Sequence, residues 1–575
     1  MKAGTPNPLV AYFSMEIGLD PALPTYAGGL GLLSGDTVRS AADMGVPMVA
    51  VTLVHRHGYF QQKLDAEGQQ TEAPVAWDVA GRLESLDPRV TVEIGDRKVL
   101  VRAWLYRVNG VTGHVLPVYL LDTDLPENSA DDRRLTDELY GGDNEWRLKQ
   151  EAVLGIGGLR MLRALGHDSL RCYHLNEGHA SLITLALAEE YSSPGADGKQ
   201  KGADLAGLLG WLRERCVFTT HTPVPAGHDR FPADLVVRVL GAARWSMLEA
   251  FGQKGELNMT TLALACTRFV NGVAMRHSEV SRDMFPGTDV RGITNGVHAA
   301  TWASPSFQEL FDRRLPDWRS DAYSLRYAIS IPLSEIAAAH AESKKALVAE
   351  VNRRTGAGFT DDAFTVVFAR RATGYKRAFL VFEDLDRLKA IAKYVGPIQI
   401  AYAGKAHPHD TEGKAIIRRV FEVAATLKGK VPVVFLENYD MALARILCAG
   451  CDVWLNNPRP PMEASGTSGM KAAVNGVPSL SVLDGWWVEG HIEGVTGWAI
   501  GELITDGSNP ANDKKFANAL YDKLAKSVMP CYYKDPDRFI GIMRSTIAMN
   551  GSYFNTHRML SQYLTNAYKI PRMVA

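Results

Sequence analysis

Cysteine is scarce in this sequence. Six in 575 residues do not build a disulfide framework. The one close pair, Cys448-Ala-Gly-Cys451, has no second pair and no histidine beside it, and it lies in an apolar helix-to-strand stretch. It reads as a buried structural pair rather than a zinc or redox site. The fifteen histidines show no HxxxH-type spacing, so no metal site is expected. Net charge is nearly absent: 63 basic against 64 acidic side chains leave −1, which offers no field for nucleic acid or an anionic membrane. Long apolar runs are missing too. The longest near the start, Val46–Val54, is broken by Pro47 and Thr52 and falls far short of a bilayer span. Met1–Pro8 lacks a basic region followed by an apolar one, so no signal peptide is expected and a soluble, cytoplasmic protein is. There is no internal repeat, and Ser192–Asp204 reads as an exposed polar loop.

What is present is ordinary globular composition, 46% hydrophobic and 22% charged, over a length too great for a single core. We place an N-terminal domain at 1–315 and a C-terminal one at 316–575. In the first, Leu9–Ser14 and Val46–Val54 read as buried strands, and Tyr26-Ala-Gly-Gly-Leu-Gly-Leu32 opens a helix over Ser34–Met44. A glycine loop in that place lets backbone N–H groups approach a phosphate, but tight packing of helix on sheet explains such glycines equally well. Residues 89–122 alternate apolar and polar positions, as antiparallel hairpins do, and Trp146–Leu165 is a long amphipathic helix. Polar clusters close three further apolar strands: Asn176-Glu-Gly-His179, the stretch from Thr220 to Pro225, and Asn295-Gly-Val-His298. Ligands bind at the carboxyl ends of strands in open α/β sheets, so a polar cleft is expected with His221 in it. His179 and His228 stay open between site and structural roles.

From Phe364 strands and helices alternate regularly. Strands are expected at Phe364–Ala369, Ile398–Ala403, Val431–Leu436, Asp452–Leu455 and Ser479–Leu483, with helices at Arg377–Tyr394, Gly413–Lys428, Met441–Cys448 and Met470–Val474. That pattern is a doubly wound parallel sheet. The first strand ends in Arg370-Arg-Ala-Thr-Gly-Tyr-Lys-Arg377, four cations in eight residues and a strong anion-pocket candidate. The fourth leads to Glu463-Ala-Ser-Gly-Thr-Ser-Gly-Met-Lys471, where a helix start offers N–H groups and hydroxyls to an anion and Lys471 stands behind as a cation or a reactive amine. A capped helix with one surface lysine fits the spacing as well. The tail, Asp535–Tyr568, is mostly helical in pattern and is a candidate to cross back to the first domain.

The stretch Glu463–Lys471 resembles the pyridoxal-phosphate lysine motif of the α-glucan (glycogen, starch, maltodextrin) phosphorylases. The resemblance runs along the chain in the family's order: Gly28–Gly31, Arg147–Glu151, Asn176–His179, His221-Thr222, Val270–Val273 with His277–Glu279, Thr294–Gly296 with Trp302, Arg371 with Tyr375-Lys376, and Phe435–Tyr439. It implies a GT-B architecture, two Rossmann-like doubly wound domains facing a central cleft. It also implies a glycosyltransferase of carbohydrate metabolism that cleaves α-1,4-glucans with inorganic phosphate, retains configuration and releases glucose 1-phosphate. No protein carboxylate pair of the glycosidase kind is needed for that.

The resemblance also assigns roles. Lys471 would hold pyridoxal 5′-phosphate as an imine, the cofactor's phosphate serving as proton donor and acceptor. Arg370, Thr467 and Ser468 would hold that phosphate, with Tyr439 and Trp302 nearby. Arg371 and Lys376, beside Tyr375 and with the amide of Gly29 in the Gly28-Gly29-Leu30 loop, would hold substrate phosphate. His221, Asn295, Glu463, Ser465 and Gly466 would bind the glucosyl hydroxyls, with Asp143 on a loop facing that unit. Two positions differ from the long-chain members: Asp440 follows Tyr439 where they carry Arg, and Ser468-Gly469 stands where they read Gly-Asn. Their N-terminal regulatory extension has no counterpart before Leu9, which implies little control by nucleotide or phosphorylation. The family is commonly dimeric, and a homodimer is the implied assembly. Two other readings remain: a GT-B transferase using a nucleotide sugar, of the glycogen synthase kind, and a non-catalytic glucan-binding homologue. The first would not need Lys471 as an imine, and the intact Arg371, Lys376, His221 and Lys471 argue against the second.

Overall fold

The computed structural model describes residues 8–193, 204–224, 227–253, 255–504 and 513–570. Most of the polar loop expected at Ser192–Asp204, and nearly all of Met1–Pro8, lie outside them. The protein is mixed α/β with large parallel sheets. Contacts divide it into two compact units: Met1–Tyr59, Pro74–Ile293 and Leu560–Ala575 form one, and Phe60–Ala73 with Thr294–Met559 the other. The segment 294–315, which the sequence pattern assigned to the first domain, thus groups with the second. Its helices Ala299–Trp302 and Pro305–Arg314 bury Trp302, Phe307 and Phe311 there.

The first unit holds β1 (Val10–Ser14), α1 (Gly29–Asp43), β2 (Met48–Leu53), β3 (Glu84–Ile94), β4 (Arg97–Asn109), β5 (Val115–Asp122), α2 (Asn144–Ala152), β6 (Cys172–Asn176), β7 (Cys216–Thr219), β8 (Phe269–Gly272) and β9 (Val290–Gly292). Its sheet runs β9-β8-β7-β6-β1-β2-β5-β4-β3. β1 and β2 are mainly apolar, with a buried Ser14 and Thr52 among them, and are buried on both faces as central parallel strands require. β3 to β5 pair antiparallel, as the alternation over 89–122 leads one to expect. The helix expected over Trp146–Leu165 is instead α2, a π-helical turn at Val153–Gly157, and a second helix at Gly158–Ala164. The chain's last described residues return to this unit: His174 Nδ1 meets the Tyr568 hydroxyl at 2.7 Å, and Asn271 Nδ2 donates to the Tyr563 hydroxyl at 2.9 Å.

In the second unit the long helix α3 (Leu333–Thr355) precedes β10 (Phe364–Ala369), α4 (Leu385–Tyr394), β11 (Ile398–Ala403), α5 (Thr411–Leu427), β12 (Val433–Leu436), α6 (Met441–Gly450), β13 (Val453–Asn456), α7 (Thr467–Val474), β14 (Ser479–Val482) and β15 (Gly497–Ile500). The sheet order is β12-β11-β10-β13-β14-β15, and every pair is parallel. This is the doubly wound order, whose direction reverses between β10 and β13. The helix expected to start at Arg377 starts only at Leu385. Arg377 has φ +50°, and its buried guanidinium donates to the carbonyls of Asn457 (2.8 Å) and Pro458 (2.7 Å), which holds the chain out of a helix until Asp384 caps α4. Cys448 and Cys451 are both buried and not joined. Among the described residues no helix is long and apolar enough to cross a membrane.

Candidate active site

The strand order of the second unit puts its crevice outside the carboxyl ends of β10 and β13. Arg370 to Arg377 follow the first end, and 457–466 follow the second and lead into α7. The two segments meet at Glu463. Its Oε2 accepts from Nη2 of Arg370 at 2.7 Å and from Nζ of Lys376 at 2.6 Å, all three side chains being almost wholly buried. Burial alone pushes the Glu463 carboxyl up, but the two cations overcome it and hold it down at about 2. The backbone N–H of Glu463 donates to Asp484 Oδ2 at 2.9 Å, just beyond β14. Burial raises the Asp484 carboxyl to about 7, with the Glu463 charge adding to the effect.

α7 begins where the sequence places an anion-binding helix start. Gly466 caps it in the left-handed region, φ +85°, which only glycine adopts cheaply. Lys471 lies one turn in, buried, with Nζ 4.0 Å from the ring centroid of the fully buried Trp302. Around this helix start several buried polar atoms have no hydrogen-bond partner: Nε and Nη1 of Arg370, Oγ of Ser465 and Oδ1 of Asn456; elsewhere in the same unit Oδ1 of Asn295 has none either. Unsatisfied donors and acceptors of this kind are expensive unless a ligand takes them. An amine in an aromatic wall beside unspent guanidinium donors fits pyridoxal phosphate.

Other expected residues take different places. Arg371 is exposed, and Tyr375 is half-buried with Lys376 Nζ 4.5 Å from its ring centroid. Tyr439 packs on the core beside β12. The Ser468 hydroxyl accepts from Trp454 Nε1 at 3.1 Å, so that side chain is engaged by the sheet, while Thr467 stands at the helix start.

The first unit gathers its own set along one sheet edge. Glu16, after β1, accepts from the N–H groups of Ala27 (2.6 Å) and Gly28 (3.2 Å) through Oε2 and from the Tyr140 hydroxyl (2.9 Å) through Oε1. It thereby pins the glycine loop that opens α1 at Gly29. The two readings of that loop divide by residue. A Cβ at Gly31 would lie 2.5 Å from Glu16 Oε2, so packing demands glycine there, whereas a Cβ at Gly29 would meet nothing among the described residues within 4 Å.

His221, half-buried after β7, has Nε2 2.7 Å from Asn176 Oδ1, and its N–H donates to Glu177 Oε2 at 2.6 Å. An amide oxygen only accepts, so Nε2 carries the proton and Nδ1 is left as an acceptor. Burial, with His277 adding, lowers the imidazole to about 3 and keeps it neutral. Glu177 holds its place at φ +72°. Asp143 caps α2, accepting from Trp146 N at 2.9 Å. His179 pairs with Asp229 at 3.2 Å beside Arg147, and His228 bonds Thr260, so both serve buried structure.

The profile described as "Phosphorylase: Carbohydrate phosphorylase" matches residues 224–496. Maltodextrin phosphorylase of Thermococcus litoralis is 39% identical across 97% of this chain and 70% of its own length. Glycogen phosphorylase of Mycobacterium tuberculosis is 39% identical with the same coverage, and that of Aquifex aeolicus is 34% identical across 97% of this chain and 86% of its own length.

The chain belongs to the carbohydrate phosphorylase family.

Both departures from the long-chain carbohydrate phosphorylases have a local cause here. Asp440 caps α6, accepting from Leu443 N at 2.8 Å. Gly469 faces the indole of Trp486, where a Cβ would come within 2.9 Å of the ring. Glu16, Tyr140 and Asp484 were not singled out from the sequence, and Glu177 only as part of the Asn176–His179 cluster. Glu16 and Asp484 each follow a buried strand directly or within two residues, the position that pointed to Arg370, but a lone carboxylate carries no motif.

Proposed function

We propose that this protein phosphorolyses α-1,4-glucans, releasing α-D-glucose 1-phosphate with retention, with pyridoxal phosphate on Lys471 and with its two units as the halves of a GT-B enzyme. The observation that carries this is the buried Lys471–Trp302 contact beside Arg370, whose guanidinium has two nitrogens unused. When bound, pyridoxal phosphate supplies acid–base chemistry through its 5′-phosphate rather than an electron sink.

The chain's own residues supply the rest. Two neighbouring phosphates repel strongly unless cations and N–H dipoles offset them. Arg370 and the N–H groups at the start of α7 would hold the cofactor phosphate. Lys376 and the exposed Arg371 would hold substrate phosphate, as would the Gly29 amide, which heads a helix and has no intrahelical acceptor. Glu463 keeps Lys376 and Arg370 in place and, with Ser465 and Asn295, offers acceptors to sugar hydroxyls. His221 offers Nδ1 to a hydroxyl as a neutral acceptor and so adds no charge to a site where oxocarbenium character develops. Substrate phosphate bonds to C1 as the glycosidic bond breaks, and the departing oxygen gains the proton that phosphate brings.

The test is a near-ultraviolet absorbance band in the purified protein, its fixation to Lys471 by borohydride, and phosphate-dependent release of glucose 1-phosphate from maltodextrin. Lys471→Ala is expected to lose band and activity while keeping its circular dichroism. Absence of the band even after adding pyridoxal phosphate, or activity in Lys471→Ala, contradicts the reading.

A further inference from the structure

Ser14 closes β1 and Asn176 closes β6, and the two pair across the parallel strands, so their side chains leave the sheet on one face. Both are buried, and so is Ser34 on α1. Nδ2 of Asn176 donates to Oγ of Ser14 at 3.0 Å and to Oγ of Ser34 at 2.9 Å.

Those two bonds decide which end of the amide meets His221. A side-chain amide can turn over and exchange its oxygen for its nitrogen, so its orientation is read from what the neighbours offer. Both serine hydroxyls are committed as donors elsewhere. Ser14 donates to the carbonyl of Glu16 at 2.7 Å, and Ser34 to the carbonyl of Leu30 at 2.9 Å. Their own oxygens lie 3.1 Å apart, farther than either carbonyl, so the carbonyls take the protons. A hydroxyl has one proton, and toward Asn176 each serine therefore presents only an acceptor. The amide turns its NH2 to the serines and its oxygen to His221, where it accepts from Nε2 at 2.7 Å. The reverse arrangement strips two carbonyls of these donors and moves the imidazole proton to Nδ1. Bonds that run in one sense also strengthen one another.

His221 is thus held twice. Glu177 fixes its backbone, accepting from its N–H and, at 3.0 Å, from the Thr222 hydroxyl. Asn176 fixes only the ring. Ser34 lies on the helix that opens at Gly29, and its acceptor Leu30 is the next residue, so the ring's tautomer is set from the same turn that carries the Gly29 amide.

We propose that Asn176 is a positioning residue for sugar binding: oriented by Ser14 and Ser34, it keeps the His221 proton on Nε2 and leaves Nδ1 bare for a glucosyl hydroxyl. The sugar contact rests on the phosphorolysis proposed above; the tautomer does not.

The test is the nitrogen-15 spectrum of the full-length, histidine-labelled protein, with His221 identified as the signal absent from His221→Gln. Wild type is expected to show a protonated Nε2 and a bare Nδ1. Asn176→Ala leaves the Glu177 bonds in place and should give a mixture of both tautomers. It should also raise KM for maltodextrin severalfold, the worth of one neutral hydrogen bond, with kcat and KM for phosphate unmoved. Ser14→Ala combined with Ser34→Ala keeps Asn176 and His221 but frees the amide, and should give the same mixture. A wild-type His221 with its proton on Nδ1 overturns the proposal without recourse to any variant. So does Asn176→Ala with a single tautomer and unaltered KM for maltodextrin. Equal rises in both KM values overturn it as well, because damage to the fold alone would do that. A wild type with the expected tautomer that releases no glucose 1-phosphate leaves the hold of Asn176 on the ring standing and removes the phosphorolysis, and the sugar contact with it.

Discussion

The Nζ of Lys376 lies 2.6 Å from Oε2 of Glu463, and Arg370 reaches that same oxygen at 2.7 Å. One buried carboxylate therefore faces two buried cations and leaves the three side chains at a net positive charge, which an arriving phosphate would meet. Glu463→Gln removes the one counter-charge. In cofactor-free protein the loss should be about 3–5 kcal/mol, since the cations stay buried without their counter-charge. With pyridoxal phosphate added the loss should shrink, because the phosphate restores an anion. Denaturant titrations with and without the cofactor check this, and an identical loss in both would contradict it.

Much of that cluster is legible in the sequence. β10 and β11 have the bounds their apolar patterns suggest, because parallel strands buried on both faces show as mainly hydrophobic stretches, interrupted here by the buried Thr365 and Gln399. The loops after β10 and β13 inherit the strand register, so Arg370, Lys376 and Glu463 could be named as site residues before their contacts were known. What was not legible depends on distant partners. Arg377 carries a helix-like pattern but is held at φ +50° by carbonyls eighty residues on. The Ser468 hydroxyl accepts from Trp454 Nε1 and keeps its own O–H to donate, and no local feature announces that indole contact. The excursion of Phe60–Ala73 into the second unit is likewise set by contacts: Gln62 and Gln70 donate to the carbonyls of Gly404 and Ala406, both at 2.9 Å.

Asp484 makes the second unit's stability depend on pH. Burial raises its carboxyl from 3.8 to about 7, so the folded chain holds a proton that the unfolded chain releases. Its contribution to stability is full below about pH 4 and is lost as pH rises through 7. Asp484→Asn removes this dependence, though it also weakens one of the two N–H bonds from Glu463 and Gly485. The variant's melting temperature should therefore fall less between pH 5 and pH 8 than the wild type's. Calorimetry at the two pH values decides it, and an unchanged difference would show that Asp484 is ionised throughout.

Glu151 in the first unit poses the same question. It is fully buried, and neither carboxyl oxygen accepts from any N–H or O–H donor. Burial, with Asp229 beside it, pushes the group well above 4.5, while Asp229, paired with His179, is held at about 2. A neutral Glu151 donating to an ionised Asp229 satisfies both. Glu151→Gln keeps the shape, the neutrality and the donor. It should match wild type at pH 5 and be more stable at pH 9, where wild type must either ionise a buried acid or hold its proton against the solvent. Thermal unfolding at both values reads this, and a variant less stable at pH 9 than wild type would contradict the neutral assignment.

The glycine loop of the first unit gives a contrast between two residues of one turn. A Cβ at Gly31 meets Glu16 Oε2 at 2.5 Å and Tyr26 Cβ at 2.6 Å, so Gly31→Ala must displace the carboxylate that holds the Ala27 and Gly28 amides. Overpacking of this kind costs about 1–3 kcal/mol. Gly29→Ala has open space and should leave stability unchanged or slightly raised, since alanine is the better helix former. If the Gly29 amide approaches substrate phosphate, its new methyl should nonetheless raise KM for phosphate severalfold. Melting temperature and KM therefore separate the two roles: Gly31→Ala lowers the first, and Gly29→Ala raises the second alone. A Gly29→Ala enzyme with unaltered KM would leave the loop as packing only and move phosphate binding wholly to Lys376 and Arg371.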